Sequence, residues 1–125
     1  MQQNITILGR VFSKKNSKQI FRTKGRTFVI SSKAYQKFQA DALTQLYTAK
    51  KNMPSPYSVD YTFLLKGKMS TDLDNLIASV NDILQLAGII DDDKNITHIK
   101  AAKAMNHQDW KTKIIITSIV KTGRS

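Results

Sequence analysis

Between residues 57 and 88 the spacing of apolar side chains changes once, and that change restricts the fold more than any other feature. In YSVDYTFLLKG (57–67), Tyr57, Val59, Tyr61 and Phe63 fall on alternate positions, the pattern of a strand with one buried face. In TDLDNLIASVNDILQLAG (71–88), Leu73, Leu76, Ile77, Val80, Ile83, Leu84 and Ala87 recur at three- and four-residue steps. That is the stripe of an amphipathic helix, and Gly88 supplies its stop. A strand and a helix in direct succession must bury their apolar faces in a common core, so a purely helical or purely sheet fold is excluded.

The rest of the chain extends this pattern. NITILGRVF (4–12) alternates Ile5, Ile7 and Val11 with polar residues and reads as a strand. QIFRTKGRTFVI (19–30) holds two β-prone runs about Lys24-Gly25, a hairpin with Gly25 at positive φ. SSKAYQKFQADALTQLYTAKKN (31–52) reads as a helix, capped by Ser31 or Ser32, with Tyr35, Phe38, Ala42, Leu46 and Ala49 on one face. Lys50 and Lys51 suit its C-terminal end, and MPSP (53–56) terminates it. NITHIKAAKAM (95–105) and WKTKIIITSIV (110–120) read as strands joined by NHQD, with only KTGRS frayed beyond them. The expectation is one α+β domain over residues 1–125, with two main helices over a small mixed sheet.

Several function classes drop out. There is no cysteine, which removes disulfides, thiolate metal sites and a thiol nucleophile. Neither a G-x-S-x-G elbow nor a phosphate-binding glycine loop is present, so acyl transfer and NTP hydrolysis have no support. His98 and His107 lack the spacing of a metal pair. The N-terminus does not read as a signal peptide, and IIITSIV (114–120) is strand-sized, so a cytoplasmic protein without a membrane span is expected.

Charge points toward a partner. The net charge is +11, and residues 1–71 carry 13 Lys and Arg against 2 Asp. A half this basic suits a polyanion, nucleic acid foremost. Lys14, Lys15, Lys18, Arg22, Lys24 and Arg26 are the candidate backbone contacts; the plainer alternative is that each is a solvated surface cation. Six of the nine aspartates crowd instead into residues 72–93: Asp72, Asp74, Asp82, Asp91, Asp92 and Asp93.

Asp72 and Asp74 stand two apart where a loop enters the second helix. In extended backbone such residues point the same way, so both can face one cation. Asp91–Asp93 follow the other end of that helix. They can join the first pair only if the chain doubles back, with the strand at 95–105 beside the one that delivers Asp72. Mg²⁺ binds through a few carboxylates, keeps several waters and takes phosphate oxygens from a substrate, and phosphodiester hydrolysis uses such a metal. Helix capping by Asp72 and a solvated DDDKN turn are the rival account. Asp82, mid-helix on the polar face, reads as solvated.

DLDNLIASVNDILQLAGIIDDDKNI resembles the signature of the RusA family of Holliday-junction resolvases: D-x-D-N-L, a helix ending D-A-L-x-x-A-G, then D-D-x-x-I. The matching residues are Asp72, Asp74, Asn75 and Leu76, then Asp82-Ile83-Leu84 and Ala87-Gly88, then Asp92, Asp93 and Ile96. ILGRVFSKKNSKQIF and SKAYQKFQADAL extend the likeness over most of the chain. The resemblance implies a RusA-like fold and a homodimeric endodeoxyribonuclease dependent on Mg²⁺, with Mn²⁺ as an alternative, and on no organic cofactor. It implies binding of four-way DNA junctions and their resolution by symmetric paired nicks in recombination and repair, in a bacterial, prophage or phage setting. By the resemblance Asp72, Asp74 and Asp93 become the metal-binding catalytic acids and Asp92 an adjacent helper, while Asp91 falls outside the motif and reads as solvated.

One position departs from the family pattern. A lysine is expected four residues after the second aspartate, and Ala78 stands there. Lys103, on the strand after the acids, is the first candidate to supply the missing charge, with Lys15, Lys18 and Lys100 behind it. The alternatives are a junction-binding protein with weak or lost catalysis, or a nuclease for other branched DNA.

Overall fold

The computed structural model describes residues 1–13, 18–23, 25–68 and 71–119, with side chains left aside at 18–23 and 26–31. Lys14, Lys15, Lys24 and the KTGRS tail lie outside the described residues, as do the side chains of Lys18, Arg22 and Arg26. The elements are β1 (Gln2–Leu8), β2 (Lys18–Thr23), β3 (Arg26–Ser31), α1 (Lys33–Gln45), β4 (Tyr57–Leu64), α2 (Leu73–Leu86), a 3₁₀ turn (Asp93–Asn95), β5 (Ile96–Ala104) and β6 (Lys111–Ser118). The chain is α+β, as its patterning requires. A mixed four-stranded sheet runs β1-β6-β4-β5, and β2-β3 form a separate two-stranded sheet.

The alternating strands sort their side chains by face. Tyr57, Val59, Tyr61 and Phe63 of β4 are buried, as are Ile5 and Ile7 of β1 and Ile114 and Ile116 of β6. They join Tyr35, Phe38 and Ala42 of α1 and Leu76, Val80, Ile83 and Leu84 of α2 in one core. The other face is wetter, and Asn4, Thr6, Leu8, Lys113 and Ile115 are exposed there.

Two turns behave as the sequence requires. Thr23 pairs with Arg26, leaving Lys24-Gly25 as the hairpin tip, and Gly25 has φ +74°. Gly88 ends α2 at φ +73°, where the Ile89 N–H reaches back to the Leu84 carbonyl. That left-handed step costs glycine little because it has no Cβ.

Two expected elements are shorter than their patterns. The first strand stops at Leu8 rather than at residue 12. Val11 leaves the sheet to enter the core, and Phe12 packs against Phe38 at 6.4 Å between ring centres. The first helix starts where expected, with the Ser32 hydroxyl accepting from the Tyr35 N–H, but ends at Gln45. Leu46 and Ala49 continue its face through irregular turns, and the Lys51 ammonium donates to the Leu46 carbonyl.

Asp82 is not solvated. Its carboxylate accepts from the Tyr35 hydroxyl and the Gln39 amide, each at 3.1 Å, and so ties α1 to α2. Helical periodicity puts Asp82 on the polar side of its own helix, but α1 approaches from that side. Burial first, and then the charge of Asp82, push the Tyr35 pKa up to about 12. The folded chain thus keeps a proton that the unfolded chain releases near the ordinary tyrosine value of 10.0. This stabilisation is complete below pH 10 and is lost as the pH rises towards 12. Urea midpoints should therefore hold up to about pH 10 and then fall. Tyr35→Phe should flatten the fall; an unaltered pH profile in that variant would remove Tyr35 from the linkage.

Candidate functional site

The candidate site is built on the β4–α2–β5 unit. β4 runs into a loop, α2 returns the chain along the core, and β5 pairs with β4 in parallel, Val59 opposite Ile99 and Phe63 opposite Lys103. The adjacency demanded by the sequence pattern is therefore present. Its direction has a consequence: parallel neighbours start at the same end of a sheet. Asp72 and Asp74 follow the C-terminal end of β4, whereas Asp93 precedes the N-terminal end of β5.

At the first end, Asp72 is the N-cap residue of α2. Its carbonyl accepts from the Asn75 and Leu76 N–H groups, yet its carboxylate makes no capping bond. Helix capping therefore does not account for this side chain. The Asp74 carboxylate accepts from the adjacent Asn75 N–H at 3.0 Å. Both residues are exposed. The Lys103 ammonium donates to the Thr71 carbonyl at 3.0 Å, one residue before Asp72. Ala78 is exposed on α2, one turn beyond Asp74.

At the second end, three consecutive aspartates have three different surroundings. The Asp91 carboxylate accepts from the Asn95 amide at 3.0 Å, the Tyr57 hydroxyl at 3.1 Å and the Asp92 N–H at 2.7 Å. The Asn95 bond, ahead of the other partners, holds its pKa below the ordinary carboxylate value. Asp91 is thus an organiser of the loop rather than a solvated bystander. Asp92 caps the 3₁₀ turn by accepting from the Lys94 N–H at 2.9 Å. Asp93 is held through its backbone, whose N–H donates to the Gln85 side chain at 3.1 Å. Among the described residues, nothing hydrogen-bonds to its carboxylate.

The two ends are separated by the 14 residues of α2, a helix of roughly 20 Å. Asp72 and Asp74 stand close in sequence at one end and Asp93 at the other. Among the described residues, no three His, Asp or Glu side chains come together closely enough to hold a metal ion. The donor chemistry still fits a hard cation: exposed carboxylates, two of them not spent on folding, with a lysine beside one end. Asp72 and Asp74 stand at the α2 N-terminus, and Asp93 stands beyond its other end.

Sequence reasoning missed the residues that hold this unit in shape. The Tyr57 hydroxyl donates to the Met53 carbonyl at 2.8 Å as well as to Asp91. The Tyr61 hydroxyl donates to the Asn81 side chain, and Ser79 Oγ donates to the Phe12 carbonyl at 2.7 Å. Burial pushes the Tyr61 hydroxyl pKa well up, with Asp93 adding its charge. A signal was present. Tyrosine, not phenylalanine, occupies inward positions 57 and 61, and a buried phenol needs a partner.

No helix among the described residues is long and apolar enough to cross a membrane. The family model described as endodeoxyribonuclease RusA matches residues 10–117. No curated protein sequence matches the chain.

Proposed function

The chain belongs to the RusA endodeoxyribonuclease family, and on that premise we propose that it is a divalent-metal-dependent nuclease that resolves four-way DNA junctions. The nuclease class follows from the family. The junction substrate, the Mg²⁺ or Mn²⁺ requirement, the homodimer and the paired nicks are the finer reading. Its main support is the Asp72 carboxylate, which stands exposed at the start of α2 and takes no part in capping that helix.

In this reading Asp72, Asp74 and Asp93 hold the cation through carboxylate oxygens. A bound divalent ion supplies water activation and neutralises charge on the phosphate. Asp91 and Asp92 keep the loop rigid so that Asp93 presents its carboxylate outward. Gln85 and Asn95 assist by holding the Asp93 backbone and the Asp91 side chain. The basic N-terminal half, including Lys14, Lys15, Lys18, Arg22, Lys24 and Arg26, grips the DNA backbone by charge.

A labelled synthetic four-way junction, offered with Mg²⁺, with Mn²⁺ and with EDTA, tests the reading. Paired, symmetric nicks that vanish in EDTA are expected. Binding without nicks in either metal would instead mark a junction-binding protein, and equal cutting of flaps and junctions a broader branched-DNA nuclease.

Lys103 is the best-supported substitute for the lysine that Ala78 replaces, because its ammonium lies at the Thr71 carbonyl beside Asp72. Lys103→Ala should slow cleavage of saturating junction by about tenfold or more, as for a group one step outside the ligands. Lys103→Arg, which retains the charge, should recover much of the rate. An unchanged rate in the alanine variant would pass the role to another cation.

A further inference from the structure

At the end of the sheet where α2 begins, one arginine is held differently from the other cations. Leu8 of β1, Lys111 of β6, Leu64 of β4 and Ala104 of β5 stand side by side at that end. Arg10 follows β1 and Trp110 precedes β6. The Gly9 N–H donates to the Trp110 carbonyl at 3.0 Å and ties the two segments together. The Arg10 guanidinium carbon lies 4.9 Å from the Phe12 ring centre and 5.1 Å from a ring centre of Trp110. Both distances are those of a cation–π contact.

This cluster is anchored to the helix that carries Asp72. Phe12 packs on Phe38, and its carbonyl accepts from Ser79 Oγ of α2 at 2.7 Å. Ser79 lies about two turns, roughly 10 Å, along α2 from Asp72. Successive phosphates of one DNA strand advance by about 3.4 Å, so that length matches about three phosphates.

The charge at Arg10 is open to a ligand. Arg10 is exposed, and Trp110 is half-buried. Among the described residues, the guanidinium makes no hydrogen bond or ion pair. It borders a concavity of about 290 Å³ that Lys37 and Asp41 also line, and Lys111 and Asp109 line another of about 480 Å³ on the Trp110 side. The local balance is therefore positive. A guanidinium resting on rings has its flat surface occupied and its N–H edge free. That edge only donates, in a fork matched to two oxygens of a phosphate.

We propose that Arg10, held against Phe12 and Trp110, is a DNA phosphate contact that grips the backbone a few nucleotides from the bond that is cut. This rests on the reading of the chain as a nuclease with Asp72 in its metal site. The N-terminal lysines act by charge alone. Here the rings fix the guanidinium plane before DNA arrives, so less side-chain freedom is lost on binding.

Trp110 is the only tryptophan of the chain, so its fluorescence reports on this cluster alone. Binding of a labelled four-way junction is followed in EDTA by anisotropy and by Trp110 emission, for the wild-type chain, Arg10→Ala and Arg10→Lys. In the wild-type chain the emission should change with the same midpoint as the anisotropy. Arg10→Ala should bind about tenfold or more weakly, as for loss of a hydrogen-bonded charge. Its slope of log affinity against log salt should fall by about one. Arg10→Lys should keep the slope yet recover only part of the affinity, because an ammonium has neither the fork nor the stacking plane. Urea midpoints and the emission of the DNA-free variants check the fold. Arg10→Lys, whose aliphatic stem still covers the rings, decides the matter should the alanine variant not fold. Wild-type affinity in either folded variant, or Trp110 emission unmoved by a saturating junction, would overturn the Arg10 contact and leave the nuclease reading standing. A wild-type chain that binds no DNA would overturn the nuclease reading, and the contact with it.

Discussion

Asp72→Asn is expected to abolish junction cleavage while leaving the fold and the DNA complex intact. Asparagine caps a helix as well as aspartate does, and the Asp72 carboxylate makes no capping bond that could be lost. The unfolding midpoint should therefore move by less than about 0.5 kcal/mol, as for a surface substitution. Cleavage should fall at least about a hundredfold, the upper range for loss of even an outer-shell metal partner. Junction affinity should hold or rise, because one negative charge is removed from near the phosphates. Single-turnover cleavage, binding and urea unfolding on the same preparation check all three expectations. A variant that cuts at the wild-type rate would take Asp72 out of the metal site.

Phe63→Ala should have the largest effect on stability. Phe63 is fully buried on β4, the strand flanked by β5 and β6, and its ring lies nearly parallel to that of Tyr61 at 6.2 Å. Removing a phenylalanine ring from such a site costs about 3–5 kcal/mol, a large share of the ~5–15 kcal/mol that holds a domain together. Thermal unfolding should drop by more than about 10 °C. A loss below about 1 kcal/mol would mean that the strand pair closes over the gap. β4 leads into the loop before Asp72 and pairs with the strand after Asp93. Cleavage in the variant should therefore fail at a lower temperature than in the wild-type chain.

The two tests probe different kinds of information in the chain. The β4 core was legible because Tyr57, Val59, Tyr61 and Phe63 alternate without interruption, and a two-residue period has one buried face whatever lies next to it. The extent of α2 was legible for a similar reason, since its stripe ends at a glycine able to adopt positive φ. β1 and α1 were each read too long. Val11 and Leu46 continue an apolar pattern, but they enter the core from irregular backbone rather than from the strand or helix. Asp82 was misread because its partners, Tyr35 and Gln39, lie more than 40 residues away in sequence, and local period carries no record of which helix approaches.

The site divides along the same line. The sequence by itself determined which residue types are available: carboxylates at 72, 74 and 93, a lysine at 103, an alanine at 78, and the order of strands and helices around them. It also required that the strand after the acids lie beside the strand before them if they were to act together. Only the tertiary structure decided the direction of that pairing. A helical crossover returns the chain to the starting end of the sheet, so β5 runs parallel to β4, and Asp93 lies beside Gln85 near the end of α2 opposite Asp72. The tertiary structure also sorted the three neighbouring aspartates, because Tyr57 and Asn95 claim Asp91, the 3₁₀ turn claims Asp92, and Gln85 holds Asp93 by its backbone alone. These are contacts between distant segments, set by how the elements pack, and no local pattern of residues encodes them.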